Sequence, residues 1–217
     1  PELLETGGGI KNIADWIKGD PVLVYNGDII TDLSIDRLMT GHMASNNTAT
    51  LAVRDHGPDL RITAEGHRVT DVRGLIHQRQ GTHQFTGIYV IDPEILDLIP
   101  PNEKISIIPA FVELIKQGEL GAYHVKGHPK WLDLGTRETY LEASLAITPK
   151  VSKEAHISDT ANIQNSWVAH NVIVESGAII KDSILWPGTH VLQDAELTNC
   201  IVHSNSPTSG VHKSADL

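Results

Sequence analysis

The chain has 217 residues, 40% of them hydrophobic, which suffices for one large domain or two modest ones and is too apolar for a disordered chain. Lys plus Arg number 17 against 27 Asp plus Glu, a net charge of −10, which excludes a nucleic-acid binder that needs a basic face. A single cysteine, Cys200, excludes an internal disulfide framework and fits a reducing compartment; with no apolar run of 18 residues and no signal-peptide pattern, a cytoplasmic protein without a membrane partner is expected.

Ile10, Ile13, Ala14 and Ile17 follow helical spacing, so residues 10–18 read as an amphipathic helix opened by the loop Thr6-Gly7-Gly8-Gly9. The apolar run Val22-Leu23-Val24-Tyr25 predicts a strand over 21–26, followed by a helix through Ile35, Leu38 and Met39 and a strand over 48–53. Residues 60–63 and 69–72, joined through Glu65-Gly66-His67, read as a hairpin with a glycine turn. Residues 85–91 form another apolar strand, and 106–117 a helix ended by Gly118. Strand segments over 122–126 and 130–134 and a helix over 136–146 capped by Thr136 complete an α/β region with a Rossmann-like mixed sheet over residues 1–146.

Residues 147–154 break this pattern and read as a linker. Beyond it Val168, Val174, Ile180, Trp186 and Leu192 stand six apart, with Val172, Ala178 and Ile184 at the fourth position after the first three. Ile157 and Ile163 keep the same spacing, with a one-residue slip before Val168. A hexapeptide period predicts a short left-handed parallel β-helix over 155–206, of about three coils, with a tail over 207–217. The open coil ends favour stacking, so a homo-oligomer through the β-helix is expected.

Two acidic residues stand at strand ends: Asp28 in Asn26-Gly27-Asp28 and Asp133 in Trp131-Leu132-Asp133-Leu134-Gly135-Thr136. Carboxylates outside the carboxyl ends of strands can hold a divalent cation over a cleft; a lone one serves as readily as an Asx-turn or helix N-cap. Asp32 and Asp36 stand at a helix start and read as caps. None of the twelve histidines shows a metal-ligand spacing, so solvated surface positions are expected for them, and a small buried apolar role for Cys200.

Leu4-Glu5-Thr6-Gly7-Gly8-Gly9-Ile10, Asn26-Gly27-Asp28, Phe85-Thr86-Gly87-Ile88-Tyr89 and Trp131-Leu132-Asp133-Leu134-Gly135-Thr136 follow one another as in sugar-1-phosphate nucleotidylyltransferases, which the chain resembles over residues 1 to about 146. The resemblance implies transfer of a nucleotidyl group from a nucleoside triphosphate to a sugar 1-phosphate with release of pyrophosphate. It further implies that Asp28 and Asp133 are catalytic and hold Mg²⁺, that Thr6, Gly7 and Gly8 border the nucleotide, and that Asn26, Thr86, Gly87 and Trp131 border the sugar. The form of the glycine loop leans toward enzymes acting on N-acetylmuramate or mannose 1-phosphates. Against the resemblance, the opening strand and glycine-rich phosphate loop of such enzymes have no counterpart. The chain therefore reads as lacking roughly the first 70–80 residues of a mononucleotide-binding half, and as inactive and aggregation-prone alone. The sugar-binding turn of the family is also replaced, here by Leu75-Ile76-His77-Gln78. The alternatives are a hexapeptide-repeat acyltransferase, which would use a histidine on the coil as general base, and a non-catalytic interaction module.

Overall fold

A computed structural model describes residues 3–17, 19–127, 129–146, 150–204 and 206–217; part of the linker expected at 147–154 lies outside the described residues. The chain divides into two compact units, residues 1–131 and 132–217.

The first unit runs α1 (Glu5–Asn12), β1 (Val22–Tyr25), β2 (Ile29–Thr31), α2 (Ile35–Met43), β3 (Ala49–Arg54), β4 (Ile62–Glu65), β5 (Arg68–Val72), β6 (Gln84–Ile91), α3 (Ile108–Gln117) and β7 (Leu120–His124). Its six-stranded mixed sheet has the order β1-β6-β3-β7-β5-β4. Only β3 and β7 pair in parallel; β6 is antiparallel to both β1 and β3. The carboxyl ends of β1 and β3 and the amino end of β6 therefore share one edge, the edge at which open α/β sheets bind ligands. On one face Leu38 of α2 packs with Ala52, Ile88 and Val90. On the other, Phe111 and Leu114 of α3 pack with Leu51, Tyr89 and Ile91, and the Tyr89 and Phe111 rings meet edge to face at 5.5 Å. Buried His42 joins the layers, with Nδ1 2.9 Å from Thr50 Oγ1 and Nε2 3.1 Å from Asp92 Oδ1. As the sequence predicts, Gly66 turns the β4–β5 hairpin at φ +57° and Gly118 ends α3 at φ +74°.

The first helix departs from the sequence reading. It starts at Glu5, takes in all three glycines and stops at Asn12, followed by a 3₁₀ turn over Ala14–Trp16. Three glycines are poor helix formers, and tertiary packing supplies what propensity withholds. A Cβ on Gly7 would lie 2.7 Å from the Ser106 carbonyl oxygen, and one on Gly8 would collide with the Glu103 carbonyl oxygen. The bare helix face thus docks against residues 103–107, where the Gly8 N–H donates to Ile105 O at 2.9 Å and the Ile105 N–H to Leu4 O at 3.1 Å.

The second unit carries Leu132 and Asp133 of β8 (Trp131–Asp133), then α4 (Arg137–Leu145) and ten short strands: β9 (His156–Ile157), β10 (Asn162–Gln164), β11 (Trp167–Val168), β12 (Ile173–Val174), β13 (Ile179–Lys181), β14 (Ile184–Leu185), β15 (His190–Val191), β16 (Glu196–Thr198), β17 (Ile201–Val202) and β18 (Val211–Lys213). They pair in parallel as three faces, β10-β13-β16-β18, β11-β14-β17 and β15-β12-β9. The result is a parallel β-solenoid of about three turns, consistent with a left-handed β-helix. Thr136 caps α4 as expected, its Oγ1 accepting from the Thr139 N–H at 3.2 Å, a cap of about 1 kcal/mol. Arg137 ties this helix to the last coil, donating through Nε to Asp216 Oδ1 at 2.7 Å and through Nη2 to the Asn199 carbonyl.

The register of the solenoid corrects the simple six-residue reading. From β9 to β17 facing residues are 17 apart, as in Trp167 opposite Ile184 and Ile184 opposite Ile201, so one side of each of these coils is a residue short; the last pairing, Glu196 opposite Val211, is 15 apart. The slip noticed before Val168 recurs before Leu185 and before Val202. The inward residues after Ile180 are Leu185 and Val191, both fully buried, whereas Trp186 and Leu192 are half-buried. Each short corner passes through Asn165, Asp182 or Asn199, with φ of 39°, 48° and 54°, angles that Asn and Asp tolerate best among residues with a Cβ. The next residues, Ser166, Ser183 and Cys200, form a buried ladder: the Ser183 N–H donates to Ser166 Oγ at 3.1 Å and the Cys200 N–H to Ser183 Oγ at 3.0 Å. Cys200 is buried as expected and continues a polar ladder as well.

Candidate active site

Tyr25, at the end of β1, leads into a turn held from both sides. The Asn26 N–H donates to Gly87 O at 3.0 Å, and Asn26 O accepts from the Ile29 N–H at 3.2 Å. Gly87 follows Thr86 in β6 with φ +77°, and a Cβ there would stand 3.1 Å from both Asn26 Nδ2 and Ile29 Cγ1. Glycine at 87 thus lets Asn26 lie against the strand. Gly27 has open space around it, and Asp28 projects its carboxylate into solvent, making no hydrogen bond or ion pair among the described residues.

Thr86 is buried, its Oγ1 donating to Ala52 O at 2.9 Å, and its carbonyl accepts from Trp131 Nε1 at 2.9 Å. The indole is therefore oriented by the strand, and its face carries the Arg54 guanidinium, 4.3 Å from the ring centroid. Arg54 ends β3; its Nη2 donates to Gln84 Oε1 at a long 3.4 Å, and its Nε is buried with no partner among the described residues. Burial lowers the Arg54 pKa from its ordinary value. A Cβ at Gly57 would strike Gln84 Oε1 and stand 2.8 Å from Arg54 Nη2, so glycine there leaves room for this pair. Next to it His83 and His124 meet edge to face at 4.9 Å, and the His83 pKa is lowered by burial first and by His124 second, against a raising effect of Asp55.

The structure thus gathers Asn26, Thr86, Gly87 and Trp131 in one connected group at the sheet edge, with Asp28 in the adjoining turn. Arg54 and Gln84 join this group, and the sequence reading missed them. Their signal was a charged and an amide residue facing each other where two apolar strands meet the same edge, Arg54 opposite Gln84 in the β3–β6 register. Thr6, Gly7 and Gly8 engage residues 103–107 instead: Gly7 and Gly8 are buried and Thr6 Oγ1 accepts from the Ile107 N–H at 3.0 Å. Asp133 belongs to the second unit, exposed, with Oδ1 accepting from the Gly135 N–H at 2.8 Å in an Asx-turn ahead of the Thr136 cap. No group of three or more His, Cys, Asp or Glu side chains able to hold a metal occurs among the described residues, nor a helix there long and apolar enough to cross a membrane.

The nucleotidyl transferase family model matches residues 1–150, and the GlmU-like, C-terminal hexapeptide model matches residues 137–209. Among similar curated proteins, mannose-1-phosphate guanylyltransferase of Mycobacterium tuberculosis is 24% identical over 87% of this chain and 55% of its own length. UTP–glucose-1-phosphate uridylyltransferase of Synechocystis is 24% identical over 94% of this chain and 60% of its own. Glucose-1-phosphate cytidylyltransferase of Salmonella typhimurium is 29% identical over 63% of this chain and 54% of its own. The chain spans little more than half the length of these curated relatives. A solved UDP-glucose pyrophosphorylase from Acinetobacter baumanii shares the fold, with a TM-score of 0.56 at 16% identity over 67% of this chain and 56% of that one.

Proposed function

We propose, given that the chain belongs to the nucleotidyl transferase family, that it serves the transfer of a nucleotidyl group from a nucleoside triphosphate to a sugar 1-phosphate. The relatives named for guanylyl, uridylyl and cytidylyl transfer to hexose 1-phosphates support this class. The observation that carries it is the connected group Asn26-Gly87-Thr86-Trp131-Arg54, with Asp28 in the adjoining turn, at the carboxyl-end edge of the sheet.

In that reaction a phosphate oxygen of the sugar 1-phosphate bonds to the α-phosphorus as the bond from that phosphorus to the pyrophosphate oxygen breaks. No side-chain nucleophile is needed, and the chain's part is to position and to balance charge. Asn26, Thr86, Gly87 and Trp131 border the sugar in this reading: the indole gives a flat apolar face, and the Asn26 amide a donor and an acceptor. Thr6, Gly7 and Gly8 set the helix beside the nucleotide. Asp28 and Asp133 would each offer a carboxylate to Mg²⁺; both are exposed and outside any ion pair among the described residues, which suits a cation that takes its other ligands from water and phosphate. The bound cation supplies charge neutralisation at the phosphates. The second unit serves assembly into a homo-oligomer, a role supported by the outward-facing Ile179 and Val211 of its β10-β13-β16-β18 face, 43% and 64% exposed. A free, buried Cys200 and triphosphate substrates accord with the cytoplasm.

The test is pyrophosphate release by the protein encoded by the intact gene, with Mg²⁺ and a panel of nucleoside triphosphates and hexose 1-phosphates. Turnover of at least one pair, abolished by Asp28→Asn, is the expected result; silence across the panel overturns the reading.

A further inference from the structure

Arg54 is a cation without a counter-ion among the described residues, at the edge where Asn26, Thr86, Gly87 and Trp131 gather. It forms no ion pair among the described residues, and its one side-chain hydrogen bond there is the 3.4 Å contact with neutral Gln84. A charge in a partly dry setting is costly unless it is paired. Yet this one is held with care: the Trp131 ring lies under the guanidinium, that ring is pinned by Thr86 O, and glycine at 57 leaves the space. Such support without a protein anion is what a binding cation needs, since a guanidinium fixed by stacking loses little freedom when it grips a ligand.

We propose that Arg54 binds the phosphate of the sugar 1-phosphate, through a charge-assisted hydrogen bond from its guanidinium. The inference rests on the reading above and adds to it the residue that recognises the acceptor's charge. The same indole that carries Arg54 borders the sugar, so a hexose stacked along Trp131 brings its 1-phosphate toward the guanidinium. A nucleoside triphosphate is the other source of phosphate in the reaction, and the two are separated by experiment.

Binding of glucose 1-phosphate, mannose 1-phosphate and the two free hexoses is measured by calorimetry on the wild type, Arg54→Gln, Arg54→Lys and Arg54→Met, with folding checked by thermal unfolding. The Met variant keeps an apolar stem on Trp131. The wild type is expected to bind at least one 1-phosphate about tenfold or more tightly than its free sugar, a difference that Gln and Met remove and Lys restores in part. In turnover assays the same variants raise KM for the sugar 1-phosphate and leave KM for the nucleoside triphosphate within about twofold. Equal binding of 1-phosphate and free sugar by the wild type, unchanged 1-phosphate binding in the folded variants, or an equal rise in the triphosphate KM overturns the assignment. Arg54-dependent binding of the 1-phosphate with no turnover of any pair would refute the transferase reading and leave this one standing.

Discussion

The indole Nε1 of Trp131 donates to the main-chain carbonyl of Thr86 at 2.9 Å, joining a residue that follows the last long strand of the first unit to one near the start of β6. Trp131→Phe keeps a ring under Arg54 and orphans that carbonyl, in a segment where Thr86 is buried. A buried acceptor left unpaired costs about 1–3 kcal/mol. Urea unfolding is expected to show a loss in that range, together with a raised KM for the sugar 1-phosphate as the ring loses its fixed orientation. An unchanged midpoint would mean that the hydrogen bond is not what holds the ring.

Gly87→Ala acts on the same group from the other side. The backbone there has φ +77°, and a Cβ would press on Asn26 Nδ2 and Ile29 Cγ1 at 3.1 Å. Strain of about 1–3 kcal/mol is expected, relieved by pushing the Asn26 turn away from β6. The activity loss should therefore exceed what the fall in stability explains, which rate measurements well below the melting transition can check.

Much of this edge was legible in the sequence, because the apolar run Val22–Tyr25 ends in an Asn-Gly pair that names its own turn, the run 85–91 carries Thr86-Gly87 near its start, and Gly118 marks a helix end by its backbone preference alone. The glycine helix was not. Its conformation comes from residues 103–107, about a hundred residues on, and no local pattern carries that docking. Arg54 was passed over for a related reason: it reads as the polar end of a strand until Trp131 is placed beneath it.

For the two aspartates the substitutions can be chosen to spare the fold. Asp28 makes no hydrogen bond or ion pair among the described residues, and an Asn at 133 can still accept from the Gly135 N–H. Asp28→Asn and Asp133→Asn are thus expected to leave the unfolding midpoint unchanged while lowering kcat/KM about a hundredfold or more, the scale of removing a group that balances transition-state charge. A folded variant with full activity would withdraw the metal role from that residue.

The His83 pKa is lowered by burial and by His124, so the folded protein binds that proton less readily than the unfolded chain. The sign follows: the contribution of His83 to stability is full above the unfolded value near 6.5 and is lost as pH falls below it. Between about pH 7.5 and pH 5.5 the wild type should therefore lose more stability than His83→Gln, compared by urea midpoints at each pH. A larger loss in the variant would reverse the assigned sign.

The solenoid offers a test of register that needs no activity. With an uninterrupted six-residue repeat, Trp186 would fill the interior and Leu185 would lie at the surface. With 17-residue coils Leu185 is fully buried, and Trp186 is half-buried beside His203, their rings 4.6 Å apart. Leu185→Ala should accordingly cost about 2–5 kcal/mol, the range for emptying a packed aliphatic site. Trp186→Ala loses a larger side chain from a wetter position and removes an indole Nε1 that has no partner among the described residues. Its cost is expected to be the smaller of the two, since an orphaned buried donor disappears with the ring. Unfolding free energies in the opposite order would place the one-residue slip elsewhere on the coil, and with it the corner formed by Asp182 and Ser183.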